Sequence, residues 1–225
     1  GISSMATGVF EADPNELLTE EDQQNINGFI STLNASDWKV DSQDSSTGFM
    51  VSWKHDPDYP VILVKGVVPV NVPTKKVVDF MANDDCFEKF MKTCDTMCKS
   101  CQIIEVKDSK HTVKHAKFKL PTPLWDRDFV WAELCTMLPD GSGLSCGCSV
   151  EHPKMPPESG GFFNAVRGEI SCSGYYVSPN EDGTCTVSYL VQCDPKGLIP
   201  AAAVNLLATD QAKNVLRLKA YLEAS

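Results

Sequence analysis

Apolar and polar residues alternate at two different periods along this 225-residue chain, and the points where the period changes divide it into helices and strands. A first helix is expected from Asp13-Pro14-Asn15-Glu16 to about Ala35. That start supplies an N-cap, a proline at the first helical position and an acid three residues after the cap. Alternation then predicts strands near 38–43, 47–54 and 59–70, with Trp53 and the Val61–Val70 run as their clearest parts. Over 73–93 the period becomes helical. Val77, Phe80 and Met81 recur before Asn83-Asp84-Asp85, and Phe87, Phe90 and Met91 after it, so two short helices are expected. Strands resume near 99–108, 111–120, 128–138, 143–152, 165–178 and 184–194, each bounded by Pro, Gly, Asn or Asp. From about Ile199 a last helix carries Val204, Leu207, Ala208, Gln211, Val215, Leu218 and Leu222 along one stripe.

Strands, two helices, more strands and a closing helix make an α+β domain, with a curved antiparallel sheet wrapped around a long C-terminal helix. The chain length suits one such domain, placed over 13–223. Residues 1–12 are read as a flexible leader, with Gly1–Ser4 ahead of Met5 set aside as a remnant of expression.

Composition narrows the function. A formal net charge of −10 argues against a nucleic-acid partner and against standing attachment to anionic membranes, both of which reward clustered Lys and Arg. No apolar run approaches the roughly 20 residues that a spanning helix needs. The start of the chain also lacks the basic-then-apolar pattern of an export signal, so a cytoplasmic protein is expected. Ten cysteines without export read as free thiols, several on alternating strand positions such as Cys146 and Cys148, where the residue acts as a small hydrophobe. Cys94-x3-Cys98-x2-Cys101 matches the spacing with which three thiolates hold an iron–sulfur cluster. Its third cysteine runs into a strand, however, and no metal or cofactor is expected. No nucleophile–base motif or phosphate-cradling loop stands out, and Gly141-Ser142-Gly143 reads as a hairpin turn.

Candidate chemistry comes from alternation on two strands. Lys114 shares a strand face with Ala116 and Phe118, and Glu133 shares one with Phe129, Trp131, Cys135 and Met137. A hairpin around Pro121–Asp126 would set Lys114 and Glu133 roughly opposite one another, as a cation and an acid among apolar residues. Such a pair is either solvated at a sheet rim or enclosed beside a polar ligand group in an apolar cavity. Tyr189 and Val191, with Val204, Leu207 and Gln211 of the last helix, are further lining candidates or ordinary core. Arg167 either contacts a ligand head group or, the favoured reading, braces strands through Glu169 or Asp128.

One set of motifs in this order resembles the START (StAR-related lipid-transfer) domain family. They are Arg127-Asp128-Phe129-Val130, Met155-Pro156, Val166-Arg167-Gly168-Glu169, and Asp194-Pro195-Lys196-Gly197 running into Gly197-Leu198-Ile199-Pro200, with Asn205 on the closing helix. The resemblance covers roughly 13–223. It implies a helix-grip fold, with an N-terminal helix and two short helices between strands. It also implies a non-enzymatic role: one phospholipid, sterol or ceramide carried in an internal apolar cavity by a protein that touches membranes transiently. The oligomeric state is left open by the sequence, with a monomer the favoured reading. The family pattern places an acid on the earlier strand and an arginine on the later, so Lys114 and Glu133 look charge-swapped. The resemblance further places an entrance gate at the last helix and the loop with Leu124 and Trp125, where Trp125 is either an interfacial anchor or a buried structural residue. Related helix-grip domains include cyclases and hydrolases, so the alternative is an enzyme acting on a hydrophobic small molecule in the same cavity.

Overall fold

The computed structural model of the chain describes residues 18–158 and 165–225. Its first helix, α1 (Glu20–Leu33), begins at a reciprocal capping box. The Asp22 N–H donates to Thr19 Oγ1 at 3.1 Å, and the Thr19 N–H donates to Asp22 Oδ2 at 2.8 Å. The helix therefore starts later than the sequence reading placed it, because Thr19 itself is extended. The Asp13–Glu16 start and the leader over 1–12 lie outside the described residues. Ile26, Phe29 and Leu33 fall on one stripe and are buried against Leu63, Leu134, Leu144 and Leu190. A polar clasp holds the start of α1. His111 Nε2 lies 2.9 Å from Asp22 Oδ1, and His111 Nδ1 lies 2.8 Å from Asp108.

The strands are β1 (Lys39–Asp44), β2 (Phe49–Lys54), β3 (Leu63–Val70), β4 (Cys98–Val106), β5 (His111–Phe118), β6 (Arg127–Met137), β7 (Gly143–Ser149), β8 (Val166–Arg167), β9 (Glu169–Pro179) and β10 (Cys185–Asp194). They form one sheet in the order β1-β2-β3-β10-β9-β7-β6-β5-β4, antiparallel throughout, with β8 added in parallel to the start of β6. β3 is shorter than the 59–70 run suggests. Residues 55–62 instead form a loop held by the buried Gln192, whose Nε2 donates to Asp56 Oδ2 at 3.0 Å and to the Val61 carbonyl at 3.2 Å. The strand expected over 165–178 is divided at Gly168. There the Phe129 ring passes so close that a Cβ would lie 2.3 Å from it, and β8 and β9 take different partners on either side.

The two short helices are α2 (Thr74–Ala82) and α3 (Phe87–Cys94), separated by a 3-10 turn over Asp84–Cys86 that begins as Asn83 Oδ1 accepts from the Asp85 N–H at 2.9 Å. Their apolar sides join Val68, Val177, Val187 and Leu218 in the main core.

The closing helix is two helices, α4 (Ala201–Gln211) and α5 (Asn214–Ala224), broken at Ala212–Lys213. The break falls where the helix meets β3 most closely: a Cβ on Gly66 would lie 2.4 Å from the Ala212 carbonyl oxygen. Asn214 Nδ2 bridges the break to Gln211 Oε1 at 2.9 Å, and Arg217 Nη1 holds Asn214 Oδ1 at 2.7 Å. α5 buries Val215, Leu218 and Leu222 in the core, whereas α4 lies over the open side of the sheet and buries Val204.

Candidate functional site

Register decides how the two charged residues of the concave face meet. Lys114 stands opposite Trp131, and Glu133 stands opposite Thr112. The pair is thus diagonal rather than directly opposed, a separation that long side chains span. Lys114 Nζ donates to Glu133 Oε1 at 2.6 Å, with side-chain exposures of 5% and 12%. Trp131 Nε1 donates to Glu133 Oε2 at 3.0 Å, and the ammonium lies 4.6 Å from the Phe87 ring centroid. The pair is thus enclosed and not solvated at a sheet rim. Partners on both carboxylate oxygens and a ring beneath the ammonium offset the cost of withdrawing two charges from water.

Beside this pair lies a cavity of about 190 Å3. Of the lining residues expected from sequence, Phe118, Trp131, Glu133, Tyr189, Val191, Val204, Leu207 and Gln211 are on its wall. Lys114, Ala116 and Cys135 are not. Ala116 is fully buried beneath Phe87, Phe129 and Trp131, while Lys114 and Cys135 face a second, polar pocket of about 350 Å3. Strand alternation assigns a face correctly, but which residues of that face meet open space depends on the packing of larger neighbours.

Sequence reading passed over several wall residues. Tyr175 stacks on Tyr189 with ring centroids 4.4 Å apart and meets Phe90 edge-on at 5.6 Å. Burial pushes both tyrosine hydroxyls well above their ordinary range and the Cys193 thiol up to about 12. Asp95, just after α3, is also buried on the wall, accepts from the Met97 N–H at 2.8 Å, and has its carboxyl pKa raised by burial. Tyr175 was legible from alternation on β9. Asp95 carried no such signal, because it caps a helix.

Arg127 is buried at the end of the cavity nearest α4. Its Nη1 donates to the Trp125 carbonyl at 2.6 Å, its Nη2 to the Lys196 carbonyl at 3.1 Å, and its Nε to the Pro195 carbonyl. One guanidinium therefore ties the β5–β6 loop to the turn that launches α4, where Lys196 and Gly197 adopt positive φ. Leu124 of that loop is half-buried, whereas Trp125 is 50% exposed, which rules out a buried structural role for it. Leu198 and Leu206 are exposed as well.

Arg167 lies away from the cavity wall and braces strands. Its Nη2 and Nε donate to Asp128 Oδ2 at 2.8 and 3.1 Å, and Nη2 also reaches the Met155 carbonyl at 3.1 Å. His115 Nε2 meets the same oxygen at 3.1 Å. Burial opposes ionisation of Asp128, but the hydrogen bonds from His115 and Arg167 outweigh it and hold the carboxyl below its ordinary value. Cys94, Cys98 and Cys101 belong to α3 and β4, and burial pushes the thiols of Cys94 and Cys98 up to about 12. No group of three or more metal-ligating side chains occurs among the described residues.

Comparison with known proteins agrees with this fold. The START domain model matches residues 30–220. START domain-containing protein 10 of Homo sapiens is 34% identical over 94 residues, 41% of this chain, and the match spans only 30% of that relative's length. The Mus musculus protein of the same name matches to the same extent. StAR-related lipid transfer protein 5 of Bos taurus is 29% identical over 181 residues, covering 76% of this chain and 78% of the relative. Among solved structures, human STARD10 superposes with a TM-score of 0.76 at 20% identity, over 96% of this chain and 84% of that one. Human StAR-related lipid transfer protein 5 gives 0.75 at 20% identity, over 90% and 92%.

Proposed function

The chain belongs to the START domain family, and from that premise we propose that it carries a single lipid in the cavity beneath α4 and transfers it between membranes without consuming a cofactor. The observation that carries this reading is an apolar cavity whose wall includes Glu133, the acid of an enclosed pair with Lys114 behind it. Aromatic and aliphatic walls lower the cost of moving acyl or ring surface through water, and a few polar groups fix the orientation of the ligand. The Cys193 thiol and the two stacked tyrosines are held protonated by burial, and Glu133 is committed to Lys114 and Trp131.

A cavity of about 190 Å3 is smaller than the roughly 300 Å3 at which drug-sized ligand sites begin. Lipid entry therefore requires α4 and the Leu124–Trp125 loop to part. The exposed Trp125, Leu198 and Leu206 flank that opening and suit the apolar boundary of a bilayer. Among the described residues no helix is long and apolar enough to cross a membrane, and the acidic net charge favours brief contact. We place this domain, over 13–223, in the cytoplasm and take it to act as a monomer. A vesicle assay with labelled phospholipid, sterol and ceramide tests the function. Saturable transfer of at least one class is expected, and neither binding nor transfer of any of them would overturn it.

A further inference from the structure

Of the residues that line the cavity, the charged ones are Asp95, Glu133 and Arg127. The two acids are provided for. Glu133 has Lys114 and Trp131 on its two oxygens, while Asp95 accepts from the Met97 N–H and burial raises its carboxyl pKa towards the neutral form. Arg127 is different. It is only 4% exposed, and its hydrogen-bond partners among the described residues are carbonyl oxygens, those of Trp125, Asp126, Pro195 and Lys196. The acids beside it in the chain are engaged elsewhere, Asp126 by Lys99 at 2.6 Å and Asp128 by Arg167 at 2.8 Å, and Lys196 holds both Glu169 and Asp194. A buried cation ordinarily stands against a counter-charge. Here burial lowers the pKa of the guanidinium, with no opposing contribution from an acid among the described residues. We propose that Arg127 is the specificity-determining cation of the cavity, and that it receives the oxyanion, carboxylate or phosphate, of an amphiphile whose apolar body lies inward. The proposal rests on the lipid-carrier reading above and names the ligand class.

Donor count, position and field support the assignment. A guanidinium carries five N–H groups. Nε is used on Pro195, Nη1 on Trp125 and Asp126, and Nη2 on Lys196, which leaves one Nη2 N–H for a ligand of the cavity that the residue lines. A charge-assisted bond from it would be among the strong ones. This end of the cavity is also the one bordered by the exposed Trp125 and Leu198, so an apolar body entering here passes inward and leaves its charged end beside Arg127. A cationic head would meet the guanidinium unscreened, and an uncharged head would leave it without a counter-charge. The net charge of −10 repels anions from the molecule as a whole, so a preference for them has to come from a local site.

The test uses single-chain probes of equal length, decyl phosphate, decanoate, decanol and decyltrimethylammonium, titrated calorimetrically into the whole chain, with inorganic phosphate as a fifth arm. Each anionic amphiphile is expected to bind at least about ten-fold more tightly than decanol, and the tighter of the two tells phosphate from carboxylate. Arg127→Gln should erase that preference. Because this change also cuts the loop from the turn, NMR of isotopically labelled arginine side chains supplies a readout on the unaltered residue. The chain has three arginines, and Arg167→Lys and Arg217→Lys assign the other two signals by their loss. The Arg127 Nε–H signal should move with both anions and clearly less with decanol. Equal or tighter binding of decanol or decyltrimethylammonium would overturn the proposal. So would an anion preference that survives in Arg127→Gln or leaves the Arg127 signal in place. Inorganic phosphate binding as tightly as decyl phosphate would make this a site for a free anion and overturn it as well. If none of the amphiphiles binds, the carrier reading itself fails.

Discussion

Lys114 is in contact with Glu133 and Phe87 and nearly out of contact with water, so its value to the protein depends on its partner. Removing one member strands the other charge, which costs roughly 3 to 5 kcal/mol, whereas removing both leaves an apolar wall. Lys114→Met and Glu133→Leu are each expected to destabilise by about that amount, and the double variant by clearly less than their sum. Urea unfolding of the four proteins checks this, and additivity would remove the case for coupling. The His111 clasp yields a pH signature. Burial opposes its charge, but the hydrogen bonds it donates to Asp22 and Asp108 outweigh this and raise its pKa above 6.5; for the two aspartates burial also works against ionisation, yet the same bonds and backbone donors hold them below 3.8. The stabilisation is fully present between those unfolded values. It is lost as pH rises through the folded histidine value or falls through the folded aspartate values. The Tm difference between the unaltered chain and His111→Gln should therefore be widest between about pH 4 and 6.5 and shrink on either side.

At the scale of elements, the division of the closing helix separates a held part from a covering part. α5 is packed into the core, while α4 rests over the cavity, and the junction presses on Gly66. Gly66→Ala would drive a methyl group into the Ala212 carbonyl, so a loss of about 1 to 3 kcal/mol is expected in thermal unfolding. The β5–β6 loop acts on a rate. Trp125→Ala should slow transfer between vesicles several-fold while changing equilibrium lipid affinity little, because affinity compares end states and the loop meets the membrane between them. Stopped-flow transfer beside equilibrium titration separates the two, and a matching fall in affinity would contradict the assignment. The two short helices and most strand boundaries were legible from periodicity, because Val77, Phe80, Phe87 and Phe90 each face the core at helical spacing. The division at Ala212 was not. The break lies against a glycine almost 150 positions earlier in the chain.

For the whole molecule, charge governs encounter. With a net charge of −10, transfer from anionic vesicles should be slower than from zwitterionic ones at low salt, and the gap should narrow as ionic strength shortens the screening length. Transfer rates across a salt series check this, and a salt-independent gap would assign the difference to lipid packing instead.

The sequence by itself determined the α+β class, the antiparallel sheet, the free thiols and the faces of β5 and β6, because these follow from local periodicity, turn residues and composition. It also carried the family motifs, among them an arginine whose role as a clasp between loop and helix it did not disclose. Only the tertiary structure decided that Lys114 pairs diagonally, that Ala116 and Cys135 lie off the cavity wall, and that Asp95 and Tyr175 lie on it. Register and cavity arise where segments distant in the chain meet, and a pattern that repeats every two or four residues holds no record of what packs against it.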